Sequence, residues 1–238
     1  MKFNVPLKEV PNFKRTSKLQ IIIPTLNEYD TLPFILNELK QYTEKVIVID
    51  GGSVDGTAKI AKEYGASVIQ QNEKGKGAAL CQAFKEVDGD PVITLDADGS
   101  MRPLEIPIFL KEIDAGADLV KGSRFLKGGY SEDMSFFRYL GNRFFVGLIN
   151  FFFSEKFSDL CYGYVAMSNK AIKKLTPLLK SKYFEIETEI VIKAKKLDLI
   201  IVEVPSIELK RLNGESKLRT LRDGFSIFKL ILSELVNH

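Results

Sequence analysis

The 238-residue sequence contains one histidine, His238, and it is the last residue. That scarcity excludes Ser-His-Asp hydrolysis, His-ligated zinc and histidine general-base catalysis. The two cysteines, Cys81 and Cys161, are far apart and in no metal-ligand spacing. A disulfide scaffold is therefore excluded, and both read as free thiols in a reducing compartment. No apolar run reaches the roughly 20 residues that span a bilayer; residues 144–153 come nearest, at about half that length. The opening segment is polar and basic, holds Pro6 and Pro11, and lacks the apolar stretch of a signal peptide. The net charge is only +3, which argues against a nucleic-acid partner. The first apolar run is not followed by G-x-G-x-x-G, and no G-x-x-x-x-G-K-[ST] occurs. Dinucleotide and Walker-type phosphate sites are thereby disfavoured.

What remains is a rhythm. Apolar runs at 19–23, 46–49, 67–69, 92–95 and 118–120 alternate with helical segments near 31–42, 56–64, 75–85 and 104–115. This alternation predicts an α/β fold with a mostly parallel sheet flanked by helices. Ligands bind such sheets beyond the carboxyl ends of the strands. Three of the predicted strands end there in acidic residues: Glu28 after the first, Asp50 after the second, Asp96 and Asp98 after the fourth. The second half predicts an aromatic helix over 135–153, a strand at 164–167, a helix at 187–195, a strand at 200–204 and an amphipathic helix over 218–236. With no repeat or linker, the expected organisation is an arm (1–18), one catalytic domain (19–217) and a C-terminal helix (218–238).

The Asp96-Ala97-Asp98 step carries the most chemistry. Alternate residues of an extended chain point the same way, so both carboxylates reach one point past the strand end. Two hard oxygen ligands suit Mg²⁺ or Mn²⁺, which completes its shell with water and substrate phosphates. The plain alternative is a polar turn that closes a strand.

The segments Ile23-Pro24-Thr25-Leu26-Asn27-Glu28, Val48 to Thr57, Asp96-Ala97-Asp98 and Gly122-Ser123-Arg124 stand in the order and spacing of a known family. The chain resembles the family 2 glycosyltransferases of the GT-A fold. Asp159 to Tyr164, Glu203-Val204-Pro205 and Arg211 with Gly214 to Lys217 resemble its polyprenyl-phosphate branch, which includes the dolichyl-phosphate mannose synthases. The resemblance implies transfer of a hexose from a nucleotide sugar to polyprenyl (dolichyl) phosphate by inverting displacement. It implies that Pro24, Glu28 and Asp50 line the nucleoside pocket and that Asp96 and Asp98 hold the metal. Arg124 and Arg138 would face the phosphates of donor or acceptor. Arg211 and Lys217 would lie on a loop that closes over them. Asp159 is the obvious base, should the acceptor be an alcohol. The chain departs from the family pattern at Leu26, Gly51 and Ser100, where Tyr, Asp and Gln are common.

Such chemistry needs no histidine. A phosphate acceptor is already an anion near neutral pH, and the leaving diphosphate is stabilised by a cation and basic side chains. The phenylalanines of 136–153, with Arg138 and Arg143 among them, suit a helix at the edge of a bilayer. So does the stripe Leu218, Leu221, Phe225, Phe228, Leu232 and Leu235, with packing on the domain or on a second copy as the alternative. Peripheral attachment on the cytosolic face is the expectation. Two rivals stay open: the same chemistry on a soluble acceptor, and a non-catalytic relative of the family. Glu185, Glu187 and Glu189 have no assigned role, and Gly75-Lys76-Gly77 reads as a helix start or as a phosphate contact.

Overall fold

The computed structural model describes residues 18–153, 155–214 and 219–236. The arm before residue 18, Lys217 and Leu218 lie outside these. In chain order the elements are β1 (Gln20–Thr25), α1 (Leu32–Leu39), β2 (Lys45–Asp50), α2 (Thr57–Glu63), β3 (Ser67–Gln70), α3 (Lys76–Glu86) and β4 (Val92–Thr94). A 3₁₀ turn at Pro103–Glu105 leads into α4 (Ile106–Asp114), then β5 (Leu119–Ser123), β6 (Tyr130–Ser131) and α5 (Phe136–Phe153). The chain closes with β7 (Val165–Met167), α6 (Asn169–Leu175), α7 (Ile186–Lys196), β8 (Ile201–Pro205), β9 (Ile207–Glu208) and α8 (Thr220–Val236).

Seven strands form one sheet in the order β3-β2-β1-β4-β7-β5-β8. Alternate residues feed opposite faces, as the period of a strand requires. Ile21, Ile23 and Val48 pack with α1 and α4 on one face, while Ile22, Ile47 and Ile49 pack with α3, α6 and α7 on the other. Burial on both faces is why these strands read as continuous apolar runs. The parallel register Thr25↔Asp50 and Ile22↔Thr94 brings the carboxyl ends of β1, β2 and β4 to one rim.

Strand β7 is the exception. It runs antiparallel between β4 and β5, pairing Thr94 and Lys121 with Val165. Its leading residues therefore enter from the same rim, and the segment before it joins the site. The Ser123 and Ser158 hydroxyls hydrogen-bond at 2.6 Å where the chain leaves β5 and where it returns.

Helices α5, α7 and α8 share a third cluster that includes Phe145, Ile149, Ile192, Ile227 and Ile231. The C-terminal helix thus packs on the domain. Glu234 of α8 also pairs with Lys193 and Lys196 of α7 at 2.7 and 2.9 Å. The expected apolar stripe divides, because the helix carries apolar residues on two faces: Phe228 and Leu235 pack against the cluster. Leu221, Phe225 and Leu232 stay exposed while Ile227 and Ile231 go inside. Helix α5 divides likewise: Phe145, Val146, Ile149 and Phe153 are buried, and Phe137, Leu140, Phe144 and Phe151 face out. The two outward faces adjoin where the Phe144 and Phe228 rings lie 6.2 Å apart. No described helix is long and apolar enough to cross a membrane.

At the opposite rim, Asp118 accepts the Ile200 N–H and the Lys170 ammonium, both at 3.0 Å. Burial pushes its pKa up, but these donors outweigh burial and hold it below the usual carboxylate value. A lowered folded pKa stabilises above the unfolded value of about 3.9 and is lost as pH falls through the folded value. Asp118→Asn is expected to lower the urea midpoint at pH 7, with a smaller deficit near pH 3. An equal deficit at both pH values would count against the assignment.

Candidate active site

The loops after β1 and β2 are tied together before any ligand arrives. Asn27 Oδ1 accepts the Val54 N–H and Ser53 Oγ accepts the Asn27 N–H, both at 2.9 Å. Asp50, at the end of β2, is buried and turns its carboxylate into its own loop, where it accepts the Gly52 and Ser53 amides. Glu28 accepts the Thr31 hydroxyl at 3.0 Å. Both acids stand on the rim, as the sequence predicts; Asp50 braces backbone amides and Glu28 a side-chain hydroxyl. Pro24 lies within β1 one residue from its rim end.

Beyond β4, Asp98 Oδ1 accepts the Ser100 amide at 3.0 Å and its Oδ2 lies 3.5 Å from Arg211. Asp96 pairs with Lys76 at 2.5 Å, and Lys76 reaches Glu187 at 2.8 Å on its other side. Lys76 enters from the first turn of α3. Gly75 and Gly77 allow this close approach: a Cβ on either would lie 2.1 or 2.4 Å from a carbonyl oxygen of Lys182 or Ser181. The Ala78 amide is spent on the Lys182 carbonyl, so this turn is a docking joint. Gly163, just before β7, leaves room for the Lys76–Glu187 pair. Burial disfavours the Lys76 ammonium, yet Asp96 and Glu187 outweigh it and hold its pKa above the ordinary lysine value. Burial pushes the Asp96 carboxyl up; Lys76 opposes this, and the nearby Asp98 and Glu187 charges add to it. Glu187 is buried, and its Oε2 has no protein partner among the described residues.

A second chain of charges runs from Asp98 into the protein. Arg211 reaches Asp133 at 3.4 Å, and Asp133 accepts Arg138 at 3.2 Å. Arg138 faces Glu208 at 3.9 Å, Glu208 pairs with Arg124 at 3.1 Å, and Arg124 pairs with Asp159 at 2.7 Å. The partners come from six regions: the turn after β4, the turn after β5, the loop before α5, the first turn of α5, the segment entering β7, and β9 with the residues after it. That last segment crosses the Asp98 turn, donating the Leu209 and Leu212 amides to the Ser100 and Asp98 carbonyls. It ends with Asn213 on Asp30 at 2.9 Å.

Two expectations change here. Arg124 was expected to face phosphate, but its side chain is 2% exposed. Its Nε and both terminal nitrogens are spent on Asp159 and Glu208. Asp159 was expected as the candidate base. It is fully buried, and although burial pushes its pKa up, Arg124 and Lys121 outweigh burial and hold it below the ordinary aspartate value. A carboxylate so stabilised is a poor proton acceptor. The pair shapes the floor of the site and presents no free face to a substrate. Arg138 and Arg211, each 20% exposed, stand above it.

The sequence assigns no role to Glu187, Asp133 or Glu208, and Lys76 reads there as part of a helix start or of a phosphate contact. The glycines flanking Lys76 and the three alternating glutamates were the available signal. On α7 these glutamates diverge: Glu185 and Glu189 accept amides of the preceding loop, and only Glu187 reaches Lys76.

A divalent cation fits this rim. Among the described residues no group of three or more acidic, histidine or cysteine side chains gathers as a complete metal cage. Asp96 and Asp98 supply two hard donors, the number expected when water and diphosphate complete the shell. The chain from Asp98 to Asp159 holds four carboxylates against three arginines, and the Asp96–Lys76–Glu187 group holds two against one lysine. The Asp96–Lys76–Glu187 group leaves one negative charge unmatched within itself, while Lys121 adds a cation beside Asp159 in the other.

An α/β sheet with paired carboxylates and basic groups at its carboxyl rim is a frame for phosphate-bearing donors. Residues 20–176 match the family model Glycosyl transferase family 2, and the chain belongs to this glycosyltransferase family. Glycosyltransferase AglJ of Haloferax volcanii is 32% identical over 213 residues, which are 87% of this chain and 69% of that protein. Dolichol-phosphate mannosyltransferase of Pyrococcus furiosus is 34% identical over 227 residues, 90% of this chain but 62% of the relative. The fold is similar to glucosyl-3-phosphoglycerate synthase of Mycobacterium tuberculosis, with a TM-score of 0.73 and 21% identity over 92% of this chain and 80% of that one. A crystal structure of that synthase holds Mn²⁺, UDP-glucose and phosphoglyceric acid.

Proposed function

We propose that the protein transfers a hexose from a nucleotide diphosphate sugar to a polyprenyl phosphate at a membrane surface, with inversion at the anomeric carbon. One observation carries the reading. Helix α5 holds Arg138 beside the Asp98 rim in its first turn, and from there displays Phe137, Leu140, Phe144 and Phe151 to the outside. A cation for a phosphate and an apolar face for a lipid chain are thus on one element. The relation to the dolichol-phosphate mannosyltransferase supports the same acceptor class.

Asp96 and Asp98 would hold Mg²⁺ or Mn²⁺, which supplies charge neutralisation for the departing diphosphate. The protein's own contributions are positional. Lys76 and Glu187 fix the direction of Asp96. Arg138 and Arg211 hold an anionic acceptor close to that centre, where it needs no proton removed before it attacks. The apolar faces of α5 and α8, with Arg143, Arg222 and Lys229 among them, would rest on the anionic cytosolic leaflet.

The test supplies GDP-mannose or UDP-glucose with Mg²⁺ or Mn²⁺ and liposomes that carry polyprenyl phosphate. The expected result is metal-dependent label in the organic extract and flotation of the protein at low salt. Phe137→Glu with Phe144→Glu is expected to reduce flotation about tenfold or more while nucleotide binding stays unchanged. Truncation before α8 is a poorer test, because it would bare the Ile192 side of α7. Efficient transfer to a water-soluble acceptor without flotation would favour the alternative, for which the fold of a synthase crystallised with phosphoglyceric acid provides a precedent.

A further inference from the structure

We propose that the Asp133 carboxylate is an internal stand-in for a phosphate monoester, occupying an anion subsite between Arg138 and Arg211 that the acceptor's phosphate takes over. The proposal rests on the reading that the acceptor carries a phosphate. A single oxygen, Asp133 Oδ2, receives Arg138 Nη1 at 3.2 Å and Arg211 Nη2 at 3.4 Å. Two guanidinium groups from separate segments converging on one anionic oxygen are the arrangement that also binds phosphate.

Three further observations separate this from an ordinary ion pair. Arg138 does not depend on the carboxylate, because it also donates to the Asp133 carbonyl at 2.9 Å and faces Glu208 at 3.9 Å. Arg211 is held loosely: its contacts with Asp133 and Asp98 are 3.4 and 3.5 Å, where charge-assisted bonds settle near 2.7–2.9 Å. The floor is closed and the top open. Arg124 and Glu208 side chains are 2% and 9% exposed, whereas Asp133 is 27% exposed on its loop before α5. Asp133 can therefore rotate toward solvent while both arginines remain near the anion that replaces it. The adjacency of Arg211 to Asp98 sets this subsite beside the carboxylates assigned to the metal.

An occupant tethered in a site lowers apparent affinity by the fraction of time it stays there. Removing its charge should tighten anion binding, whereas a carboxylate that merely positions the arginines would weaken it when removed. The experiment titrates inorganic phosphate, geranyl phosphate and 3-phosphoglycerate into the full chain by calorimetry, without turnover. Asp133→Asn and Asp133→Ser are each expected to lower the Kd for inorganic phosphate about fivefold or more. Asp133→Glu should show no gain, and adding Arg138→Gln to Asp133→Asn should erase it. Thermal melting of each variant checks the fold. Unchanged or weaker phosphate binding in both neutral variants would overturn the proposal. A gain for inorganic phosphate with no transfer to any prenyl phosphate would sink the acceptor reading and leave the subsite standing. A gain for geranyl phosphate beyond that for 3-phosphoglycerate would assign the site to a lipid source.

Discussion

Asp98→Ala is expected to lower kcat/KM for hexose transfer by about three orders of magnitude while the protein keeps its fold. The carboxylate does little for stability: it accepts one amide, that of Ser100, and shares a long contact with Arg211. Arg211 keeps Asp133 when Asp98 is gone. On the proposed metal site, what is lost is one of two hard donors for the cation that would stabilise the leaving diphosphate, an effect worth several kcal/mol, with each ~1.4 kcal/mol a factor of ten. Steady-state rates with saturating Mn²⁺, beside circular dichroism and melting curves, check both halves. Undiminished turnover by the variant, or by the wild type in excess chelator, would remove the metal assignment.

Arg124→Met is expected to act through the opposite route, costing about 3–5 kcal/mol of stability. Its guanidinium is pinned by Asp159 and Glu208, both buried. The substitution removes the cation that both carboxylates share, leaving Asp159 to Lys121 and Glu208 to the longer Arg138 contact, and the loss of such a partner is more damaging than loss of the whole pair. For a domain of this size a deficit of that order lowers Tm by about 10 °C. A calorimetric melt decides the matter. If Tm is preserved and only transfer is lost, Arg124 leaves its pocket to contact phosphate, and its assignment as a buried brace is wrong.

The first half of the molecule was legible because β1, β2, β4 and β5 are buried on both faces and each helix ends at a glycine or a polar turn. Residues 19–23, 46–49 and 92–95 were read within one or two positions of β1, β2 and β4. The direction of β7 was not legible, since three apolar residues carry no sign of parallel or antiparallel pairing. β6 and β9, two residues each, fall below any periodic signal, and α6 offered only Ala171, Ile172 and Leu175 as a buried set. In the site, Asp96 and Asp98 declared themselves by spacing. Asp133 and Glu208 did not, because a single acid in a polar loop looks the same whether it is solvated or clamped between arginines. Arg124 misled for the same reason: the sequence shows a cation near a motif, and only the fold shows that Asp159 and Glu208 had already claimed it.

The reversed strand gives the molecule a modular boundary. The chain leaves the sheet at Ser123 and re-enters after Ser158, and these two residues touch through their hydroxyls. Asp133, Arg138 and the outward phenylalanines of α5 hang between two points a single hydrogen bond apart, while Arg211 and α8 reach the same region from outside this excursion. Evolution or an engineer could exchange this excursion for one of different length or polarity by conserving one short distance and the contacts with β9 and α8. The strands β1, β2 and β4 that carry the donor rim lie outside the excursion. On the proposed function, an exchange of this excursion would change the acceptor's surroundings and leave Arg211 as the link to the Asp98 rim.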